Sequence, residues 1–177
     1  MQSLPTSHHY AVELRHRAFY DDPQLEAHVE QLLAEHDVPP SLLRLEITES
    51  AVMGDPARAT EALRRLHDYG VSLSIDDFGT GYTSMAYLRR LPVDELKVDR
   101  SFVMRMTENE HDAVLVRTAI DLGHNLGLTV VAEGVEQADH VVALRALDCD
   151  VVQGYHYARP MPAADVSALF GRVAQPA

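Results

Sequence analysis

The stretch Ser72-Leu73-Ser74-Ile75-Asp76-Asp77 shows a pattern that repeats along the chain: a short apolar run ends on polar or charged residues. Such a run predicts a β-strand, and the amphipathic segments between successive runs predict helices. Five more runs are predicted as strands, at Tyr10–Leu14, Leu43–Ile47, Glu95–Val98, Thr129–Ala132 and Val151–Gln153. The alternation of strands and helices indicates an α/β fold with a parallel sheet.

The helices carry local start and stop signals. Asp55-Pro56 predicts an N-cap followed by proline at the first helical position, and Gly70 and Gly127 follow helical segments as C-terminal caps do. Six strand–helix units in 177 residues average about 30 residues each, the size of a βα unit. Such units build either an open doubly wound sheet or a closed barrel.

The barrel is the better prediction, although it is incomplete. No glycine-rich phosphate loop follows the first strand, which weakens the dinucleotide-binding version of the open sheet. A complete (β/α)₈ barrel needs at least about 200 residues, so six units fall two short. We therefore expect one domain over residues 1–177, an incomplete TIM-like (β/α) barrel with a parallel sheet that lacks its first strands.

Composition restricts the possible functions. The chain has 15 Lys and Arg against 27 Asp and Glu, a net charge of −12, which disfavours binding to DNA or RNA polymers. No apolar run is long enough to span a membrane. Cys149 is the single cysteine, so no internal disulfide forms and a reducing cytoplasm is the expected location.

Polar side chains lie at or near the carboxyl ends of five successive predicted strands. In barrel enzymes this edge carries the active site, because the βα loops converge there. Chance placement of caps and surface charges explains one such residue easily but not all five strands. The residues are Glu46, Asp76, Asp77, Lys97, Asp99, Glu133 and Gln153.

Clustered carboxylates without a Cys or His pair favour hard divalent ions, here Mg²⁺ or Mn²⁺. Adjacent Asp76 and Asp77 suit a two-metal site, in which one carboxylate bridges two ions and the other binds one. Lys97 would orient the attacking water or stabilise developing phosphate charge. Its alternative interpretation is a salt bridge to a neighbouring carboxylate.

Five ordered segments between about residues 12 and 161 resemble the EAL-domain family of cyclic di-GMP phosphodiesterases. They are Leu45-Glu46-Ile47-Thr48-Glu49-Ser50, Asp76-Asp77-Phe78-Gly79-Thr80-Gly81-Tyr82, Leu96-Lys97-Val98-Asp99-Arg100-Ser101-Phe102, Ala132-Glu133-Gly134-Val135-Glu136 and Gln153-Gly154-Tyr155. The resemblance implies metal-dependent hydrolysis of cyclic di-GMP to linear pGpG, as part of bacterial second-messenger signalling.

The resemblance also implies residue roles. Glu46, Asp76 and Asp77 would bind metal, and Lys97 would position the attacking water, with Glu133 and Asp77 completing the catalytic set. Substrate-binding or supporting roles would fall to Asp99, Glu136 and Gln153. Glu49 would brace the loop from Asp77 to Tyr82, which in the family touches a dimer interface.

The sequence departs from the family pattern at two metal-ligand positions. The Glu-Ala-Leu strand of the family has no counterpart before Tyr10, and Glu61-Ala62-Leu63 falls inside a predicted helix, where packing explains it. The arginine that follows the motif in the family is also missing. A second ligand, usually Asn, aligns with Glu13, which could still bind a metal ion.

These departures leave two functions open. The first is an EAL-type phosphodiesterase whose activity is impaired in this chain, unless Glu13 or another chain replaces the missing ligand. The alternative is a catalytically inactive module that binds cyclic di-GMP or a partner protein. Because a shortened barrel leaves strand edges unpaired, we expect a homodimer or a complex with a partner protein.

Overall fold

The computed structural model describes residues 10–14, 22, 24–53, 55–81, 85–162 and 165. Strands and helices alternate throughout these residues, as the sequence predicts. The strands are β1 (Tyr10–Leu14), β2 (Leu43–Thr48), β3 (Ser72–Phe78), β4 (Glu95–Val98), β5 (Thr129–Ala132) and β6 (Val151–Val152). The helices are α1 (Leu25–Glu35), α2 (Glu49–Met53), α3 (Pro56–Tyr69), α4 (Met85–Leu88), α5 (Arg100–Val103), α6 (Glu110–Asn125) and α7 (Ala138–Ala146), with a 3₁₀ turn at Pro40–Leu42.

The six strands form one parallel sheet in the order β1-β2-β3-β4-β5-β6, identical to their order in the chain. Parallel crossovers are right-handed, so an order that never reverses places all connecting helices on one face. A doubly wound sheet would instead reverse its strand order at a switch point. The prediction of an incomplete TIM-like barrel is therefore confirmed, and in the described residues β1 and β6 are the open edges.

The outward face of the sheet is apolar and forms the core with the helices. Leu96 and Val130 are paired in register and face α6. Gly123 of α6 sits so close to them that a Cβ there would overlap the side chain of Val130. The amphipathic helix α3 buries Ala59, Ala62, Leu63 and Leu66. Glu61 stays exposed and pairs with Arg64 and Arg65, so the Glu61-Ala62-Leu63 tripeptide is a helix-packing segment, as predicted.

The opposite face of the sheet is polar because side chains alternate along each strand. Glu46 pairs in register with Ser74, and Ser74 with Glu95. Glu95 is almost fully buried and forms an ion pair with Arg44. The inner side of the barrel is thus lined with hydrogen-bonding groups before the carboxyl edge is reached.

The predicted end of β3 was too early, and the difference matters for the site. The apolar run stops at Ile75, yet pairing with its neighbours extends β3 to Phe78, with Asp76 opposite Thr48 of β2. The β3–β4 register shifts between Ile75 and Phe78, and Asp77 has φ +55°. Such irregularities redirect side chains near active sites. Both acids therefore project from the end of an ordered strand.

Both caps of α3 occur where the sequence predicts them. The Asp55 carboxylate accepts a hydrogen bond from the Arg58 N–H at 3.1 Å, which caps α3. Gly70 ends the same helix in the left-handed region, with φ +104°. Among the described residues no helix is long and apolar enough to cross a membrane.

The same hydrogen-bonded arrangement, here called a clamp, occurs separately near the amino ends of β3 and β5. In each clamp one aspartate carboxylate contacts a strand N–H and a histidine. The Asp94 carboxylate accepts from the Leu73 N–H at 2.8 Å and lies 3.3 Å from Nε2 of His67. In the later unit, the Asp150 carboxylate accepts from the Val130 N–H at 2.8 Å and lies 2.9 Å from Nε2 of His124. In each unit the histidine precedes the strand N–H by six residues, with a glycine midway, so the clamp follows a sequence repeat.

Replacing Asp150 by alanine is expected to lower the free energy of unfolding by about 1 kcal/mol at pH 7, because the Val130 N–H loses its acceptor. Burial alone raises the pKa of Asp150, but hydrogen bonds from Val130 and His124 lower it overall from 3.8. A lowered pKa stabilises the fold above the ordinary value, and this contribution disappears as the pH falls through the folded-state pKa. The free energies of unfolding of the Asp150→Ala variant and the parent, measured in urea, should therefore converge in acid. The control is Asp121→Ala, at an exposed position of α6, whose free energy of unfolding should stay within about 0.5 kcal/mol of that of the parent.

Candidate active site

Lys97 lies at the centre of the site. It comes from β4, is 3% exposed, and is the only lysine in the chain. Its Nζ donates to Oε1 of Glu133 at 2.7 Å and to Oε1 of Glu46 at 2.9 Å, and lies 3.3 Å from Oδ1 of Asp76. One ammonium group thus joins β2, β3, β4 and the loop after β5. Lys97 is thus a salt-bridge partner, which was its alternative interpretation. These contacts do not exclude a further contact with water or substrate.

These contacts determine the charge state of Lys97. Burial alone lowers the pKa of its amine, but hydrogen bonds to Glu133 and Glu46 outweigh burial and raise the pKa above its ordinary value. The side chain therefore remains an ammonium ion at neutral pH. It can donate hydrogen bonds and stabilise negative charge, but it does not act as a general base.

Three carboxylates cluster next to Lys97. Ligand oxygens of Asp76, Asp77 and Glu133 all lie within 4.8 Å of one another. Burial raises the pKa of Asp77, and the nearby charges of Asp76 and Asp99 raise it further. Burial also raises the pKa of Glu133, more than the contact with Lys97 lowers it. The cluster thus holds more negative charge than its surroundings stabilise, and its hard oxygen donors fit a divalent cation such as Mg²⁺ or Mn²⁺.

Glu46 and Glu13 occupy a neighbouring part of the sheet. Among the described side chains, Glu46 contacts Lys97 and is not part of the three-carboxylate cluster. Glu13 pairs in register with Glu46 through the β1 backbone, but its side chain lies outside the described residues. The prediction that these two residues bind metal therefore remains a prediction.

Asp99 lies directly before α5 and next to the cluster in the chain fold. It is 9% exposed, and its carboxylate accepts from the Ser101 N–H at 2.9 Å and from the Ser101 hydroxyl, which caps α5. The charge of Asp99 is also close enough to raise the pKa of Asp77. The carboxylate therefore starts α5 next to the cluster, and the supporting role of Asp99 remains a prediction.

The loops after β5 and β6 are joined by backbone hydrogen bonds. The Gln153 N–H donates to Ala132, the Val135 N–H donates to Gln153 at 3.0 Å, and the His156 N–H donates to Val135 at 2.9 Å. Gly154 lies against this segment so closely that a Cβ there would be 2.7 Å from the Val135 carbonyl carbon. The two loops therefore form one unit that positions Glu133 beside Gln153.

A cavity of about 210 Å³ opens beside this unit. Glu133, exposed Glu136 and Gln153 line it together with Arg100 and Tyr155. The sequence predicted the first three residues but missed Arg100 and Tyr155. Both lie within segments that resemble the EAL family: Arg100 follows Asp99, and Tyr155 lies two residues after Gln153.

Glu49, the first residue of α2, contacts the loop that follows β3. It is 5% exposed, and its Oε2 accepts from the Gly81 N–H at 3.2 Å. A Cβ at Gly81 would lie 2.7 Å from the Glu49 carboxyl carbon, so glycine permits this contact. The geometry fits the predicted bracing of the loop as far as Gly81, whereas Tyr82 lies outside the described residues.

Replacing Gly81 by alanine is expected to displace the Glu49 carboxylate and break its hydrogen bond, at a cost of about 1 kcal/mol in the free energy of unfolding. Amide hydrogen exchange should accelerate at residues 79–81, while exchange in β4 stays unchanged. The Thr80→Ala variant is the control, because Thr80 is exposed and its hydroxyl contacts only the Asp77 carbonyl within the described chain. Unchanged exchange in the Gly81→Ala loop would show that Glu49 does not brace it.

Comparison with known proteins agrees with the fold. The EAL domain family profile matches residues 1–160. The cyclic di-GMP phosphodiesterase NbdA of Pseudomonas aeruginosa is 51% identical over 122 residues, which are 69% of this chain and 16% of NbdA. The bifunctional diguanylate cyclase/cyclic di-GMP phosphodiesterase MucR of the same organism is 44% identical over 140 residues, 79% of this chain and 20% of MucR.

Solved structures give the same result. The MucR phosphodiesterase in complex with c-di-GMP superposes with a TM-score of 0.86 and 42% identity, covering 89% of this chain and 64% of that one. The chain spans about a fifth or less of the length of the curated relatives NbdA and MucR. The predicted family is confirmed, and the chain belongs to the EAL domain family.

Proposed function

We propose that this chain carries an EAL-type site for metal-dependent hydrolysis of cyclic di-GMP to linear pGpG. One observation supports this most strongly: a buried ammonium group and a three-carboxylate cluster share the carboxyl edge of a barrel-like sheet. Related proteins named as cyclic di-GMP phosphodiesterases, at up to 51% identity, supply the substrate class.

Each residue has a specific part in this proposal. Asp76, Asp77 and Glu133 would hold Mg²⁺ or Mn²⁺, with Glu46 and Glu13 as further ligands. A bound divalent cation supplies Lewis acidity, lowers the pKa of water and neutralises phosphate charge. A manganese complex with cyclic di-GMP is known for the Klebsiella pneumoniae BlrP1 protein, whose chain superposes at 29% identity with a TM-score of 0.80 over 88% of this chain and 40% of that one.

The protein groups divide the remaining work. Lys97 orients the attacking water through a hydrogen bond. The Glu136 and Gln153 side chains contact the nucleotide in the adjacent cavity, and Asp99 fixes the start of α5 beside the site. We also propose that turnover is slow, because Glu13 stands at a position where the family has Asn, and a misplaced ligand shifts the reacting atoms.

The assay follows pGpG formation from cyclic di-GMP with excess Mn²⁺. The expected result is slow turnover that the Asp76→Asn and Glu46→Gln variants abolish. Glu61→Gln is the matched control, because Glu61 belongs to the exposed side of α3 and should leave turnover unchanged. Binding of cyclic di-GMP without turnover would favour the alternative, an inactive nucleotide-binding or protein-interaction module.

We further propose that the chain assembles as a homodimer or with a partner protein in the cytoplasm. The support is that β1 and β6 are open edges within the described residues and that Val114 and Leu115 of α6 are exposed apolar residues. Light scattering should give at least twice the mass of one chain. A monodisperse monomer would contradict self-assembly, while a partner captured with the chain would support the second form.

A further inference from the structure

The positive charge of Lys97 is already balanced. Its ammonium group contacts three carboxylates at 2.7, 2.9 and 3.3 Å. A divalent cation would offset part of the remaining negative charge, but an anionic phosphodiester would still approach a mouth rich in carboxylates. Like charges in a partly desolvated site repel strongly. A substrate of this type therefore requires a further cation at the site.

Arg100 meets this requirement. It is exposed at the first position of α5 and lines the 210 Å³ cavity with Glu133, Glu136 and Gln153. Within the described residues its guanidinium forms no ion pair. Unlike Lys97, Arg100 thus has a charge that a bound anion can use, and a guanidinium can bind phosphate oxygens through two parallel hydrogen bonds.

The backbone holds the base of Arg100 in place. Asp99 caps α5 directly before it, and the loop after Glu133 packs against its stem. Gly134 has φ +73°, and a Cβ there would lie 3.1 Å from Cα of Arg100 and closer still to its Cβ. Since Gly134 immediately follows Glu133, the Arg100 stem and the acidic cluster are positioned by the same contact.

An aromatic ring lines the same cavity. Tyr155 is 51% exposed, and the guanidinium of Arg159 lies 4.8 Å from its ring centroid. Aromatic faces stack with nucleobases, and cations next to them bind the nucleotide backbone. The cavity thus combines a cation and an aromatic ring, two features that nucleotide-binding surfaces use.

We propose that Arg100 is a substrate-contacting residue whose guanidinium binds a phosphate oxygen of the guanine cyclic dinucleotide in this cavity. The inference rests on the proposed function and adds an anion-binding residue to that site. Arg100 acts in substrate binding, and it contributes to hydrolysis by holding the phosphodiester next to the acidic cluster.

The Arg100→Gln variant tests this, because glutamine keeps the stem that packs against Gly134 and removes the charge. Calorimetric titration with cyclic di-GMP in the presence of Mn²⁺ should show binding weaker by about 10- to 100-fold, as expected for loss of a charged hydrogen bond. Binding should also depend less steeply on salt between about 50 and 200 mM. Arg100→Lys should bind with intermediate affinity, and the affinity for Mn²⁺ alone should stay unchanged.

Arg117→Gln is the matched control, because Arg117 is exposed on α6 and does not line the cavity. Equal weakening by both substitutions would indicate an effect of net charge and overturn the inference. Unaltered binding by Arg100→Gln would overturn it while the proposed function stands. If the unaltered chain binds Mn²⁺ but not cyclic di-GMP, the proposed function fails and this inference fails with it. If Arg100→Gln does not fold, the affinity of Arg100→Lys for cyclic di-GMP and its salt dependence test the inference instead. An affinity equal to that of the parent would then overturn it.

Discussion

Replacing Lys97 by methionine is expected to lower the free energy of unfolding by about 3–5 kcal/mol at neutral pH in the absence of divalent cations. Methionine fills a similar volume, but it leaves Glu46, Asp76 and Glu133 facing one another without the ammonium group. Replacing a whole buried ion-pair network by apolar residues often changes stability little. Removing a single partner is strongly destabilising, because it leaves buried charges unpaired. Urea unfolding at fixed pH measures this loss.

The pH dependence of the free energy of unfolding separates repulsion among the unpaired carboxylates from simple loss of packing. Burial already raises the pKa of Glu133, and removal of Lys97 takes away a contact that lowers it. A carboxyl group with a raised folded-state pKa destabilises the fold as the pH rises above the ordinary value of 4.5. The deficit of Lys97→Met should therefore shrink as the pH falls toward that value.

Lys97→Arg is the matched control for charge. It keeps a cation but places a larger planar group at a buried position, since Lys97 is only 3% exposed. We expect it to retain more stability than Lys97→Met, yet to lose hydrolysis, because the donor to the attacking water is displaced. A Lys97→Met variant as stable as the parent at neutral pH would show that the three contacts do not stabilise this fold.

The second large effect is expected for Gly154→Ala. The backbone C atom of Val135 lies 2.7 Å from where the alanine Cβ would be, with the Val135 N and O closer still. A backbone segment cannot rotate away as a flexible side chain can, so the loops after β5 and β6 must separate. We expect a loss of about 2–3 kcal/mol from broken hydrogen bonds and repacking.

The same change should also weaken metal binding and hydrolysis. Glu133 and Gln153 lie on the two loops that separate, and a misplacement of about 1 Å can lower a rate about 100-fold. Manganese affinity and pGpG formation measure this effect, and both should fall.

Gly127→Ala is the control, because Gly127 has φ +75° and no atom of the described residues lies within 4 Å of the position that an alanine Cβ would take. It should cost about 1 kcal/mol from backbone strain alone and leave manganese affinity unchanged. Similar behaviour of the two variants would mean that the contact between Gly154 and Val135 does not position the site.

Much of the fold was predictable because its signals are local. Alternating apolar runs predicted all six strands, and Asp55-Pro56 and Gly70 predicted the ends of α3, since capping needs only neighbouring residues. The strand end at Ile75 was predicted too early. Pairing with β2 and β4 holds Asp76 and Asp77 in the extended strand, and that pairing involves residues distant in sequence.

The candidate site was predicted as a set of residues at one edge, but not as a network. Parallel strands bring their carboxyl ends together, so the sequence indicated that Glu46, Asp76, Lys97 and Glu133 would be neighbours. It could not indicate which carboxylates Lys97 contacts, because rotamers and the β3 register shift determine distances of 2.7–3.3 Å. Arg100 was missed for a related reason, since no local pattern predicts a cavity formed by α5 and the loops after β5 and β6.

The sequence by itself determined the family, the parallel order of strands and helices, and the acidic character of one sheet edge. Hydrophobic periodicity and the order of short motifs carry that information within a few residues at a time. Only the tertiary structure decided that Lys97 is balanced by three carboxylates, that Asp76, Asp77 and Glu133 form one cluster, and that Gly154 packs on Val135. These features depend on contacts between segments about 20 to 60 residues apart, whose geometry follows from packing and strand register and not from any local pattern.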